Sequence, residues 1–228
     1  MAKSDTQGFD IGSKSAAVLG CGGLGCNVCV HLAGAGIGRL YICDFDTVSE
    51  SNLNRQFLYT PCDIGAKKTD IMKTRLSAYA PECEITVLDK KIECAADIDF
   101  PAKPDIIIIA ADNIPLRKAA QEYCFIHSVP LINGGINGYY GVSFLCIPGM
   151  TACLDCAGLT DKENITELSV SSAAGVIGAH CACIAQQYLC GDVSSAGRLF
   201  VFDNGEISVL DIKKRKNCRL CGSINTKR

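Results

Sequence analysis

Two patterns in this chain have residue types and spacing suited to chemistry. Gly20-Cys21-Gly22-Gly23-Leu24-Gly25 carries glycines at the spacing of the strand-to-helix turn that holds a nucleotide phosphate. Gly20 allows the tight bend, Gly22 lets backbone approach phosphate, and Gly25 lets the helix pack close to its sheet. The helix amino end behind them supplies oriented N–H groups. Asp44 follows 19 residues after Gly25, at the end of the next apolar run, where a carboxylate bonds ribose hydroxyls. Glycines alone read equally well as close packing. The strand before, the helix after and Asp44 favour the nucleotide. The second pattern is Cys153-x-x-Cys156 with Cys218-x-x-Cys221. Folded together, two such pairs make a tetrahedral four-thiolate zinc site with no open position, so the Zn²⁺ is expected to be structural and to staple the carboxyl tail to the body. The bland reading is two reduced, unconnected pairs.

These residues need elements to hold them. Ala16 to Leu19 reads as a short strand running into the glycine turn, followed by a helix from about Leu24 to Ala35 with Val28, Leu32 and Ala35 on one face. Arg39 to Cys43 is the second strand. The polar segment from Asp46 to Thr60 is long for a loop in a compact domain, which marks it as functional. A helix from Lys67 to Tyr79 stops before Pro81, and Glu84 to Leu88 alternates as a strand. The Asp105–Ala111 strand, apolar throughout after Asp105, suits a parallel sheet covered on both faces. It leads through Asp112-Asn113 into a helix from about Pro115 to His127, and Pro130 to Asn133 is the next strand.

After Gly134 the pattern changes. Tyr140–Ile147, Leu199–Phe202 and Glu206–Ile212 read as antiparallel strands, the last two joined at Asp203-Asn204-Gly205. Between the first and second of these lie a polar stretch from Thr160 to Ser172 and an apolar helix from Ala174 to Leu189. The expected fold is therefore α/β, a doubly wound, mostly parallel, Rossmann-like sheet with an antiparallel C-terminal extension and a zinc-stapled tail. Residues 1–14 are read as an N-terminal segment and 15–228 as a single domain.

Composition narrows the function classes. The 228 residues are 48% hydrophobic and 20% charged, enough apolar material for a sizeable core. A formal net charge of -2 argues against a surface built for nucleic acid or anionic lipid. The basic run Lys213-Lys214-Arg215-Lys216 reads as a solvated strand end. No apolar run reaches the roughly 18 residues that a membrane span requires, and Met1 to Asp10 lacks the apolar core of a signal peptide. Sixteen cysteines then imply thiols and metal ligands in a reducing cytoplasm rather than disulfides. Cys29, Cys43, Cys124 and Cys146 fall in apolar periodic segments and are expected in the core.

Taken together, Gly20 to Gly25, Asp44-x-Asp46, Ser51-Asn52-Leu53-Asn54-Arg55-Gln56, Asp63-x-Gly65 with Lys68, and Asp112-Asn113 resemble the ThiF/MoeB/HesA family, bacterial relatives of the ubiquitin-activating enzymes. The match runs from about residue 15 to residue 222. It implies an ATP-dependent adenylyltransferase, a homodimer, that joins the terminal glycine carboxylate of a ubiquitin-like sulfur-carrier protein to AMP and releases pyrophosphate. The attacking carboxylate is already ionised at neutral pH, so such a reaction needs charge neutralisation and in-line positioning rather than a general base. The resemblance puts Arg55 and Lys68 on the phosphates and assigns Asn52 and Gln56 to holding that loop and its ligand. It makes Asp112 the carboxylate for Mg²⁺, and counts Gly23, Asp46 and Asn113 among the nucleotide-site residues. The bland readings are a solvated helix lysine for Lys68 and a helix amino cap for the Asp112-Asn113 pair. Gly134-Gly135-Ile136-Asn137-Gly138 fits either a groove for a glycine-ended tail or a simple turn.

Two departures from the family pattern bear on mechanism. Many relatives have a thioester- or persulfide-forming cysteine four residues before the glycine at position 175, where this chain has Ser171. Relatives also carry an arginine on an amino-terminal helix that reaches the partner's ATP, yet no arginine precedes Arg39 here and few residues precede the first strand. Three other readings stand beside it: a zinc-stapled NAD-dependent oxidoreductase, a non-catalytic docking member of the family, and a branch acting on a modified tRNA base, which fits poorly with the zinc pairs and the net charge. The first would need an acid or base near the nicotinamide, and only His31, His127 and His180 exist.

Overall fold

The computed structural model of the chain describes residues 10–160 and 169–222. The elements run β1 (Ser15–Leu19), α1 (Gly23–Gly34), β2 (Arg39–Cys43), α2 (Lys68–Tyr79), β3 (Glu84–Leu88), β4 (Ile106–Ile109), α3 (Ile114–His127), β5 (Leu131–Asn137), β6 (Tyr140–Cys146), α4 (Ser171–Leu189), β7 (Arg198–Asp203) and β8 (Glu206–Asp211). All these strands join one sheet in the order β3-β2-β1-β4-β5-β6-β7-β8. Pairing is parallel from β3 to β5 and antiparallel from β5 to β8. The doubly wound sheet with an antiparallel extension is thus as the sequence indicates.

Strand alternation sorts the apolar side chains into two cores. Val18, Ile42, Ile108 and Ile132 point to the face covered by α1, α2 and α4. Leu19, Tyr41, Ile107, Ile109 and Leu131 point to the other, where they meet Leu116, Ala120 and Cys124 of α3 and also Cys153, Leu154 and Cys221. The cysteine cluster and α3 therefore share one core. No described helix is long and apolar enough to cross a membrane.

Several local expectations shift. β5 does not end at Asn133. It runs on through Gly134-Gly135 to Asn137 because β6 pairs with it residue for residue, Gly134 with Ser143 and Gly135 with Val142. Helix α4 begins at Ser171 rather than Ala174. Ala35 is the exposed cap of α1, and Ala33 takes the buried place expected of it. Cys29, Cys43, Cys124 and Cys146 are buried as expected, and on α4 Cys181 is buried whereas Cys183 is exposed. The basic run is not simply solvated: Lys214 Nζ donates to the Gly149 carbonyl at 2.6 Å and Arg215 Nη2 to the Asp155 carbonyl at 2.7 Å. Most of the N-terminal segment, and residues 161–168 of the polar stretch before α4, lie outside the described residues.

Candidate functional site

A cavity of about 570 Å³ opens at the carboxyl ends of β1, β2, β4 and β5. It straddles the point where the strand order reverses, with β2 on one side of β1 and β4 on the other. Connections leave in opposite directions there, so the sheet itself leaves a crevice.

The glycine turn forms the cavity floor. Gly20 sits at φ +109, and a Cβ there would lie 2.7 Å from the Ala110 carbonyl oxygen. A Cβ on Gly25 would collide with the Gly20 carbonyl, so this glycine is what lets α1 start hard against the end of β1. Gly22 is the amino cap of α1, and neither a side-chain cap nor an acidic residue occupies the first turn. The positive end of α1 thus faces the cavity without an anion from its own first turn. Gly20, Gly22 and Gly23 line the cavity, whereas Gly25 lies beneath it.

Asp44 closes this turn. Its Oδ2 accepts the Cys21 N–H at 2.6 Å and its Oδ1 accepts the Asp46 N–H at 2.9 Å. Each oxygen keeps a lone pair for a ligand hydroxyl.

The polar segment after β2 folds back onto the turn. Tyr59 donates its hydroxyl to the Cys21 carbonyl at 2.8 Å, and the Val48 N–H bonds the Ala66 carbonyl at 2.8 Å. These ties bring Asn52, Arg55 and Gln56 to the cavity wall. Gln56 Nε2 donates to Asn52 Oδ1 at 3.3 Å, and the buried Gln56 Oε1 has no partner among the described residues. Arg55 Nη1 donates to the Asn54 side chain at 3.0 Å and the Ser51 carbonyl at 3.4 Å, and its charge meets no carboxylate among the described residues. Asp63, four residues past Tyr59, accepts the Thr60 N–H and pairs with Arg75, a framework role.

Lys68, at the first turn of α2, is 4% exposed and points its Nζ at Asp46 Oδ2, 3.0 Å away. This placement rules out the solvated helix lysine. Opposite, β4 delivers Asp112 and Asn113. The two part roles: Asn113 Oδ1 accepts the Leu116 N–H at 2.8 Å and caps α3. Asp112 makes no hydrogen bond among the described residues and is exposed to the cavity. Such a carboxylate, beside a space suited to phosphate oxygens and waters, fits magnesium.

Arg117 was not legible as a site residue. It lines the same cavity from α3 while 4% exposed. Burial holds its guanidinium below the usual arginine range, with the Asp112 charge acting the other way. The available signal was a charged residue in a buried helical stripe, Arg117-Ala120-Gln121-Cys124 at helical spacing. None of the three histidines lines the cavity.

Cys153, Cys156, Cys218 and Cys221 come together with all four Sγ atoms within 4.8 Å of one another. Cys153 and Cys218 lie 3.5 Å apart, and Cys156 and Cys221 3.4 Å. A tetrahedral Zn–S bond of about 2.3 Å implies sulfurs about 3.8 Å apart, so the four thiols fit zinc with little adjustment. The Arg215 N–H donates to Cys156 Sγ at 3.3 Å, the kind of outer contact that orients a ligand. Gln121 of α3 holds the first knuckle, donating to Asp155 Oδ1 at 3.0 Å and accepting the Leu154 N–H at 2.6 Å.

The fold and its cleft define a doubly wound α/β protein with a nucleotide-type site at the strand-order reversal and a four-cysteine centre packed in the core that it shares with α3. The chain belongs to the ThiF family, whose sequence profile matches residues 5–222. It is 31% identical over 215 residues to the sulfur carrier protein ThiS adenylyltransferase of Escherichia coli, covering 91% of this chain and 86% of that protein. It is 30% identical over 230 residues to the molybdopterin-synthase adenylyltransferase of E. coli, covering 95% and 92%. A crystal structure of E. coli MccB with ATP superposes with a TM-score of 0.83 at 25% identity, covering 93% of this chain and 68% of that one.

Proposed function

We propose that the protein is a Mg²⁺·ATP-dependent adenylyltransferase acting as a homodimer on the terminal glycine carboxylate of a ubiquitin-like sulfur-carrier protein. A carboxylate oxygen attacks the α-phosphorus of ATP, the bond from that phosphorus to the oxygen bridging to the β-phosphate breaks, and pyrophosphate leaves with the electron pair. No proton moves, in keeping with a cavity that has no histidine in its wall. The carrying observation is one cavity that joins the uncapped start of α1, the cations Arg55 and Lys68 and Asp112, which is unpaired among the described residues. Lys68 and Arg55 hold the phosphates, Asp44 the ribose hydroxyls, and Asn52 and Gln56 the loop between them. Asp112 would hold magnesium, which when bound neutralises charge on the departing pyrophosphate. Two of the relatives are adenylyltransferases, one for the sulfur carrier protein ThiS and one for molybdopterin synthase, which supports this substrate class. The dimer rests on the family resemblance.

ATP–pyrophosphate exchange is expected only when a glycine-ended carrier is present, and deletion of the carrier's last glycine should abolish it. Exchange absent with every carrier tried, or NAD binding in place of ATP, would overturn the reading.

The reaction is expected to stop at the acyl-adenylate. Ser171 is an exposed hydroxyl at the start of α4, and a serine hydroxyl does not perform thiol exchange. Cys43 is the one cysteine in the cavity wall among the described residues, and burial together with the Asp44 charge pushes its thiol up to about 12. Cys181 is buried against Gly134, and the exposed Cys183 lies roughly 18 Å along the helix from Ser171 at about 1.5 Å per residue. Ser171→Ala should therefore keep full exchange activity, and no reductant-sensitive adduct with the carrier should appear on a non-reducing gel. An adduct that reductant removes would mean that one of the cysteines takes the acyl group.

A further inference from the structure

We infer that Arg117 is the residue that recognises the carrier's terminal carboxylate, a specificity role that rests on the adenylyltransferase reading. The guanidinium is buried without an ion-pair partner among the described residues. Its Nη1 donates to the Leu159 carbonyl at 3.3 Å, and its Nε has no partner among them. A buried charge is costly unless an anion pairs with it, so this one is left open for a ligand. Asp112 acts on it through space, and magnesium bound there would cancel that help.

Position separates Arg117 from the phosphate cradle. The glycine turn ends β1, whereas Arg117 faces β5, two strands away in the order β1-β4-β5. At about 4.8 Å per strand that is roughly 10 Å. The strand end beside it is Gly134-Gly135-Ile136-Asn137, and an ideal Cβ on Gly135 would lie 3.5 Å from Arg117 Nη2. With no side chain on Gly135, an extended glycine-ended tail can lie along β5 with its carboxylate against the guanidinium. A planar fork matches a carboxylate better than an ammonium does. Arg117 therefore holds one end of the nucleophile while the α1 amino end and Lys68 hold the phosphates, which sets the line of attack.

The test compares a ThiS-type sulfur carrier ending in glycine, with its free carboxylate or as the C-terminal carboxamide. Binding is measured by calorimetry with an ATP analogue that cannot be cleaved between the α- and β-phosphates. Wild-type protein should bind the acid about 10–10²-fold tighter than the amide, the range for hydrogen bonds to a charged group. Arg117→Gln should remove that preference with ATP-analogue affinity within about twofold of wild type, and Arg117→Lys should restore part of it. No acid-over-amide preference in wild type overturns the inference even if no variant folds. So does a preference retained in Arg117→Gln, or an equal loss of nucleotide affinity, which would put Arg117 on a phosphate. Wild-type carrier-dependent pyrophosphate exchange, run in parallel, tells these failures from failure of the adenylation reading itself.

Discussion

Asp112→Asn is expected to abolish magnesium-dependent turnover while leaving the protein folded. Its neighbour Asn113, not Asp112, caps α3, and Asp112 makes no hydrogen bond among the described residues, so the framework does not depend on its charge. Lys68→Met and Arg55→Ala are each expected to lower the exchange rate by roughly 10²–10³, the size seen when one preorganised charge-stabilising group is lost. Lys68 is the stricter case. Its side chain is 5% exposed and its partner Asp46 is 50% exposed, so the cation is the desolvated end of the pair and acts on a ligand with little screening. Asp46, left unpaired, stays in contact with water, which limits the cost to the fold. The three groups would act on one polyphosphate, so combined losses should fall short of the product. Exchange rates and thermal melts of the same samples decide the matter. Near-normal rates in all three variants would mean that the phosphates lie elsewhere.

Removing the metal is expected to produce the largest change in stability. One zinc per chain should accompany freshly purified protein, and Cys153→Ser or Cys221→Ser should lose it. Structural zinc binding is worth on the order of 10 kcal/mol. If ordering the tail offsets about half of that, roughly 5 kcal/mol remains, which lowers Tm by about 10–20 °C in a domain of this size. The reason is in the core: Cys153 and Cys221 pack with Leu116, Ala120 and Cys124 of α3, and Gln121 ties α3 to Asp155 between the first pair. Loosening the knuckle therefore loosens the helix that carries Asn113 and Arg117. Nucleotide affinity of protein that remains folded should change far less than the melting temperature, because no cysteine of the cluster lines the cavity. Substoichiometric zinc in metal analysis would overturn this prediction.

Much of the site was legible before any fold was known, and the reason is locality. The glycine turn needs a positive φ at Gly20 and a bare Cα at Gly25, and both demands are met within a few residues. Each Cys-x-x-Cys pair can chelate from its own tight turn. The Ile106–Ile109 strand is apolar whichever neighbour it pairs with. The sequence therefore determined the order of strands and helices, the nucleotide-type turn, the metal pairs and their chemistry. Tertiary structure decided which of the candidate groups are desolvated and which are already engaged. Asp112 and Asn113 are adjacent and both can cap a helix, and only the start of α3 at Ile114 assigns the cap to Asn113. Gly134 and Gly135 read as a turn until β6 pairs with them and makes them strand. Cys181 and Cys183 lie two residues apart on α4, yet one faces Gly134 and the other solvent. Arg117 looks like any helix arginine until α3 packs on the sheet and removes its water. Burial and pairing are set by which elements meet across the core, and those contacts join residues far apart in the chain.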